Sequence, residues 1–163
     1  MVISDLILWF AETIWLFLPA YFANAAPVLL HGGGPLDGGR VLSDGRRLLG
    51  DHKTIYGTLA GVVVGSAVGL AQMSPFRGFL FASGAILGDL VFAFFKRRLD
   101  IRPGQPLPLW DQVGFILFAI ALGSLVQPAP TWEQDAAMIV TTIPVHYVSN
   151  LFAWGLKMKK EPW

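Results

Sequence analysis

The sequence predicts an all-α integral membrane protein with five transmembrane helices, its N-terminus outside and its C-terminus in the cytoplasm. Of its 163 residues, 54% are hydrophobic and only 14% are charged, against about 25% charged in soluble domains. The charged residues cluster between long apolar stretches, and almost all the basic ones fall on one predicted side. We therefore expect residues 1–163 to form a single multi-pass domain in the cell membrane.

Each predicted helix follows from an apolar segment long enough to span the bilayer, which takes about 20 residues. The five segments are about 5–24, 55–73, 76–96, 111–128 and 134–156. Met1 to Asp5 lacks the basic residues of a signal peptide, so the first segment is expected to remain in the protein. The absence of cysteine excludes disulfides and thiolate metal sites.

The distribution of Lys and Arg predicts the orientation. The loops at about 25–54 and 97–110, with Lys96 and the C-terminal tail, hold every basic residue except Arg77. Basic loops stay in the cytoplasm. These two loops are therefore expected to form a cytoplasmic active-site face.

Small residues predict close helix packing in the second and third spans. Gly84 and Gly88 are four residues apart, so the third helix is expected to pack against the second, with Pro75 breaking the chain between them. The second span carries a longer glycine stripe, and packing within the chain is favoured for it over a homodimer seam, which remains the alternative. The stripe consists of Gly57, Gly61, Gly65 and Gly69.

Asp89 is the strongest functional candidate, because it is the one charged residue between Gly78 and Phe95 and an intramembrane carboxylate is costly. Lys96 follows seven residues later, on the same helix face and about 10 Å along the axis. Asp111 opens the next apolar run. Two carboxylates suit Mg²⁺. The alternatives are a plain ion pair of Asp89 with Lys96 or an arginine, and a helix-capping role for Asp111.

The first cytoplasmic loop is rich in glycine and basic residues, beginning with His31-Gly-Gly-Gly and ending with Lys53-Thr54. Glycine backbone N–H groups and basic side chains suit an anion, although the Gly-Lys-Ser/Thr of a Walker A loop is absent. A flexible linker and a surface for lipid headgroups are the alternatives.

Together these segments resemble the CDP-diacylglycerol synthases, and in particular their archaeal branch, the CDP-archaeol synthases. The metal frame carries the resemblance: Gly-Asp89, then Lys96-Arg97, then a Pro-Gly loop that ends at Asp111. The His-Gly-Gly and Asp-Arg elements of the bacterial signature are missing before Asp111. The remaining matching segments are Tyr21–Pro27, Pro35-Leu-Asp37-Gly-Gly, Asp44–Gly57, Pro144–Asn150 and the closing Glu-Pro-Trp163.

The resemblance implies a cytidylyltransferase that joins CMP from CTP to a geranylgeranylated glycerol phosphate lipid and releases pyrophosphate, with one or two Mg²⁺ ions. Asp89 and Asp111 would hold the metal, and Lys96 and Arg97 would act on the phosphates. Membrane lipids are further partners, a homodimer through the glycine stripe stays an alternative that the function does not require, and no nucleic acid is expected. The residues expected to bind CTP are Asn24, Arg46, Arg47, Lys53, Thr54 and Lys96.

A small ion or solute transporter that uses Asp89 is the alternative from another class. Transporters often show internal repeats, whereas this chain has none and its charges gather on one face. His146 and Asn150 lie four apart on one helix face. They are either part of the site or a packing contact, and the sequence leaves both open.

Overall fold

The computed structural model describes residues 3–102 and 105–158, and this part of the chain contains five α-helices and no extended sheet. The all-α prediction is confirmed. Pro103, Gly104, Lys159, Lys160 and the closing Trp163, on which some of the predictions rest, lie outside the described residues. The helices are α1 (Ile3–Leu29), α2 (Ile55–Ala71), α3 (Pro75–Arg98), α4 (Trp110–Gly123) and α5 (Trp132–Gly155).

Helix lengths differ from the predicted spans. Within the described residues, α1, α3 and α5 are long and apolar enough to cross a membrane, whereas α2 and α4 are shorter apolar helices. α1 continues past Asn24 to Leu29, although Pro19 and Pro27 lie inside it. The first loop therefore begins at residue 30 and not at 25. Arg97 and Arg98 belong to the last turn of α3. Basic side chains there interact favourably with the helix dipole.

The glycine stripe of α2 packs within the chain, as predicted. A Cβ placed on Gly65 would lie 2.6 Å from the Pro19 carbonyl oxygen of α1 and 2.6 Å from the Ala82 Cβ of α3. Gly61 meets α1 and α3 in the same way, and all four glycines of the stripe are buried. α1 and α3 cover the stripe, so it offers no free surface to a second copy.

The other two glycines face a different helix from the one predicted. α3 does pack against α2, but through Gly78, Ala82 and Ile86. Gly84 and Gly88 instead approach the backbone of α4, where a Cβ on Gly88 would lie 2.6 Å from the Gly114 carbonyl oxygen. The prediction was wrong about the face because the sequence alone does not say which neighbour a small residue meets.

The apolar core lies where α1, α3 and α4 meet. Phe17, Phe81 and Ile116 are fully buried there, and Met138 joins them from α5. α5 is otherwise the most exposed helix of the bundle. One hydrogen bond that holds α5 to α1 joins the hydroxyls of Tyr21 and Thr142, 2.6 Å apart. The packing leaves the polar side chains of the first loop and of α3 gathered at one end.

Candidate active site

The simpler alternative predicted that Asp89 pairs with Lys96 or with an arginine, and it is wrong about the partner. The Asp89 carboxylate accepts a hydrogen bond from the Lys53 ammonium, with Nζ and Oδ2 2.6 Å apart. Lys53 stands two residues before α2, so the pair joins the end of the first loop to α3. The two side chains are 26% and 34% exposed. Solvent and a ligand can therefore reach the carboxylate.

A small cavity opens beside this pair. It has a volume of about 30 Å³, and Asp89, Lys53, Thr54, His52 and Thr58 contribute its polar lining. That volume suits one or two water molecules, since one water needs at least about 10–15 Å³ on this measure. A nucleotide is far larger, so it has to bind at the mouth of the cavity or widen it.

Lys96 pairs with the other predicted metal ligand. Its ammonium donates to Oδ2 of Asp111 at 2.8 Å, and the same oxygen accepts a hydrogen bond from the backbone N–H of Leu107. Asp111 is not the N-cap of α4, because Leu109 occupies that position. The capping alternative is therefore wrong. The site thus holds two lysine–aspartate pairs, one at Asp89 of α3 and the other at Lys96 of the same helix.

The first loop is built around Asp37, a residue that the sequence marked only as part of a matching motif. Its buried carboxylate accepts hydrogen bonds from the backbone N–H groups of Gly39, Leu49 and Gly50 and from the Arg47 guanidinium. Burial by itself would raise the pKa of Asp37, but the guanidinium and the N–H groups lower it well below its usual range. Asp37 thus fixes the loop as an ionised carboxylate.

Arginines fasten the first loop to the end of α3. Arg98 donates to the Asp44 carboxylate at 2.6 Å and to the carbonyl oxygen of Arg47. Arg46 donates to the carbonyl oxygen of Arg98 and lies 3.7 Å from the Asp100 carboxylate. Arg46 and Arg47, which were expected to bind CTP, are thus held by contacts within the protein.

Arg97 stands apart from these pairs. Among residues 3–102 and 105–158 it has no carboxylate partner, and its Nε is buried without a hydrogen bond. A Cβ on Gly50 would lie 4.0 Å from Nη1 of Arg97. Arg97 therefore brings an unpaired positive charge to the edge where the first loop meets α3.

The glycine-rich stretch supports the first turn of α2 through its carbonyl oxygens. The backbone N–H groups of Ile55 and Tyr56 donate to the carbonyl oxygens of Gly34 and Gly32. The Tyr56 ring packs on Gly33, whose φ of +75° also favours glycine. These contacts use the N–H groups that the first turn of α2 would otherwise present to an anion.

Thr54 is the N-cap of α2. Its hydroxyl oxygen accepts hydrogen bonds from the N–H groups of Gly57 and Gly32. This capping role differs from the CTP contact that was expected, although Thr54 does line the cavity beside Asp89. Its position follows from the ordinary preference of threonine for helix N-caps.

Asn24 lies in α1, one turn beyond Tyr21, and is half-buried. It is not among the residues that line the small cavity. His146 and Asn150 share a face of α5, as predicted, since the Asn150 amide and the His146 Nδ1 are 3.1 Å apart. The His146 ring also lies 6.3 Å from that of Phe115. This pair therefore belongs to the α4–α5 side of the bundle.

Comparison with known proteins decides the family. The model of a family described as CarS-like CDP-archaeol synthase matches residues 3–76 and 73–163. The chain belongs to the CDP-archaeol synthase family. Among similar members, the CDP-archaeol synthase of Pyrococcus furiosus is 41% identical over 93% of this chain and 97% of its own length. That of Aeropyrum pernix is 46% identical over 93% and 91%.

A solved structure extends the family match to three dimensions. It is described as an intramembrane enzyme for archaeal membrane lipids biosynthesis, and it superposes with a TM-score of 0.80 at 40% identity. The match covers 86% of this chain and 94% of the solved one. Together with the apolar helices, this match places the protein among membrane proteins.

Proposed function

We propose that this protein transfers the cytidylyl group of CTP to an unsaturated archaeal ether-lipid phosphate, forming CDP-archaeol and pyrophosphate. Membership of the CDP-archaeol synthase family carries the proposal. The two lysine–aspartate pairs, Lys53–Asp89 and Lys96–Asp111, supply the charges that this chemistry needs. The transporter alternative has no support in the family match.

In the reaction, an oxygen of the lipid phosphate attacks the α-phosphorus of CTP. A new P–O bond forms there, while the bond to the β-phosphate oxygen breaks and pyrophosphate leaves with the electron pair. The attacking group is already anionic, so no general base is needed. The protein has to bring two anions together and neutralise their charge.

The cationic side chains at the site suit this task. Lys53 and Lys96 each donate to an aspartate, and we expect each to turn to a phosphate of the bound substrates. Arg97 already lacks a carboxylate partner within the described residues. We assign these three residues to the phosphates of CTP and of the lipid.

Asp89 and Asp111 would each supply an oxygen ligand to Mg²⁺. Asp89 and Asp111 are hard oxygen donors, partly exposed, and each holds a cationic ammonium group. No cluster of three or more His, Cys, Asp or Glu occurs in residues 3–102 and 105–158. Mg²⁺ commonly takes its remaining ligands from waters and substrate phosphates. When bound, it would supply further charge neutralisation at the reacting phosphates.

The test is synthesis of a CDP-lipid by the purified protein from radiolabelled CTP. We expect product with geranylgeranylated glycerol phosphate and Mg²⁺, and none after chelation with EDTA. Asp89→Asn and Asp111→Asn should each lower turnover by about 100-fold or more. An absence of product with every archaeal and diacyl lipid phosphate would contradict the proposed activity.

A matched control separates charge loss from lost folding. Glu133 is an exposed carboxylate in the first turn of α5, so Glu133→Gln should keep wild-type turnover. Thermal unfolding of all three variants in detergent checks that they are folded. Full turnover in Asp111→Asn would contradict a metal-binding role for Asp111 and leave Asp89 as the one proposed ligand.

A further inference from the structure

Gln112 follows Asp111 and carries a buried polar atom that the fold does not satisfy. Its amide oxygen has no hydrogen-bond partner among the residues that the structure describes. A buried acceptor without a hydrogen bond carries a cost in stability. A glutamine kept under that cost is a candidate for a contact made only with a ligand.

A second glutamine, at the same position of another helix, shows the capping role that a glutamine usually has there. Gln134 is the third residue of α5, and its amide oxygen accepts a hydrogen bond from the N–H of Thr131 at 3.0 Å, in a capping box. Gln112 is the third residue of α4, but Leu109 receives no side-chain cap. The Asp111 carboxylate binds the loop N–H of Leu107 instead. Gln112 is thus released from capping.

The packing of α4 places Gln112 at the end of the bundle that holds the site. Phe115 and Ile116, three and four residues later on the same face, are 3% and 0% exposed, so this face of α4 is directed inward. The backbone at Gly114 and Phe115 lies against Gly88, the residue before Asp89. Gln112 therefore stands within one turn of the level of Asp89 and directly follows Asp111, the partner of Lys96.

We infer that the Gln112 amide oxygen accepts a hydrogen bond from the nucleoside part of CTP, so that Gln112 helps to determine nucleotide specificity. This inference rests on the proposed function. The glycerol of an ether-lipid phosphate has no N–H group, and its other two oxygens are alkylated. The lipid therefore offers no hydrogen-bond donor apart from a protonated phosphate. The nucleoside offers the cytosine 4-amino group and two ribose hydroxyls. In either case a neutral donor of the nucleoside forms one hydrogen bond to the amide oxygen.

The experiment measures KM and kcat for CTP, for dCTP and for the CTP analogue that lacks the 4-amino group. It compares wild type with Gln112→Met and Gln112→Leu. We expect both variants to raise KM for CTP about 3- to 10-fold, with the unfolding temperature unchanged or higher. Gln134→Leu is the matched control, and it should lower the unfolding temperature and leave KM unchanged.

The analogues identify the donor. The analogue without the donor should bind wild type less tightly than CTP does. It should bind the Gln112 variants as tightly as CTP does. If the Gln112 variants bind dCTP as tightly as CTP, the donor is the ribose 2′-hydroxyl. If they bind the analogue without the 4-amino group as tightly as CTP, the donor is the cytosine amino group. A KM for CTP within two-fold of wild type in both variants would overturn the inference. So would a lower unfolding temperature in both, since that would reveal a structural partner.

These outcomes are distinct from failure of the proposed function. If wild type makes no CDP-lipid from CTP, the cytidylyltransferase assignment falls. If wild type is active and the Gln112 variants discriminate nucleotides as wild type does, only the role of Gln112 falls.

Discussion

Asp37 shows how one buried carboxylate organises a loop that has almost no regular structure. It binds three backbone N–H groups and the Arg47 guanidinium, and Arg47 in turn pairs with Asp51 at 2.6 Å. The two carboxylates raise the pKa of Arg47 above its usual value. Because the loop ends at Lys53, this network helps to hold the Lys53 ammonium at Asp89.

We predict that Asp37→Asn lowers the free energy of unfolding by about 2–4 kcal/mol, because it leaves a guanidinium and backbone donors without their carboxylate. The pKa of Asp37 is lowered in the folded protein, so its contribution is present above the unfolded value of about 4. The contribution is lost as the pH falls towards the folded value. Unfolding temperatures in detergent from pH 7 to pH 3 measure this.

The stability difference between wild type and Asp37→Asn should therefore shrink below about pH 4. Asp100→Asn is the control, because that side chain is 81% exposed and its ion pair with Arg46 is long. It should change stability by less than about 1 kcal/mol. A difference between wild type and Asp37→Asn that stays constant down to pH 3 would contradict the assignment.

Single residues differ in how far the sequence reveals their roles. Asp89 was identifiable because a charge in an apolar helix is costly. Its partner Lys53 was not, since 36 positions separate the two and only the fold brings them together. Gln112 gave no signal at all, because a glutamine in the first turn of a helix usually caps it.

At the scale of the helix, the glycine stripe of α2 sets the distance between α1, α2 and α3. A Cβ on Gly65 would meet the backbone oxygen of Pro19 at 2.6 Å. A backbone atom cannot turn aside as a flexible side chain can. The helices would have to move apart and lose contacts along their length.

We predict that Gly65→Ala destabilises the protein by about 1–3 kcal/mol, even though alanine favours a helix by about 1 kcal/mol over glycine. Gly155→Ala is the matched control, because nothing lies within 4 Å of a Cβ there. It should leave the unfolding temperature unchanged or slightly higher. Equal unfolding temperatures for wild type and Gly65→Ala would show that the helices are not in close contact at this point.

Helix positions were predictable from hydropathy, but their ends and neighbours were not. Basic residues ended the predicted third span at 96, whereas the helix continues to Arg98. The glycine-rich loop also supports the first turn of α2, while its approach to an anion stays a prediction. Contacts between residues far apart in the chain build this support, and a local pattern carries no information about them.

At the scale of the whole molecule, the distribution of basic residues predicts that the loop of residues 30–54 faces the cytoplasm and that the N-terminus faces out. The chain has no cysteine, so single cysteines can be introduced without background. Ser43→Cys in the first loop should react with a membrane-impermeant maleimide only after cells are permeabilised. Ser4→Cys and Glu133→Cys should react in intact cells. The reverse pattern would contradict the five-span orientation.

The whole bundle was predictable as a class, five helices with a polar end, because composition and charge act over the entire chain. The distribution of contacts was not. α3 packs closely against α1, α2 and α4. α5 packs mainly against α4, and two hydrogen bonds, Tyr21–Thr142 and Gln134–Thr13, join it to α1. Every apolar face can meet lipid or protein in a membrane, so hydropathy does not separate the two.

The Lys53–Asp89 pair has a consequence for how a divalent cation and a nucleotide would affect each other's binding. The ammonium at 2.6 Å already neutralises the carboxylate, so Lys53 has to leave before another cation can take its place. Lys53 gains a new partner only when an anion such as the CTP triphosphate is present. Divalent cation and nucleotide should therefore bind cooperatively, each raising the affinity for the other by the same factor. Neither would bind tightly alone.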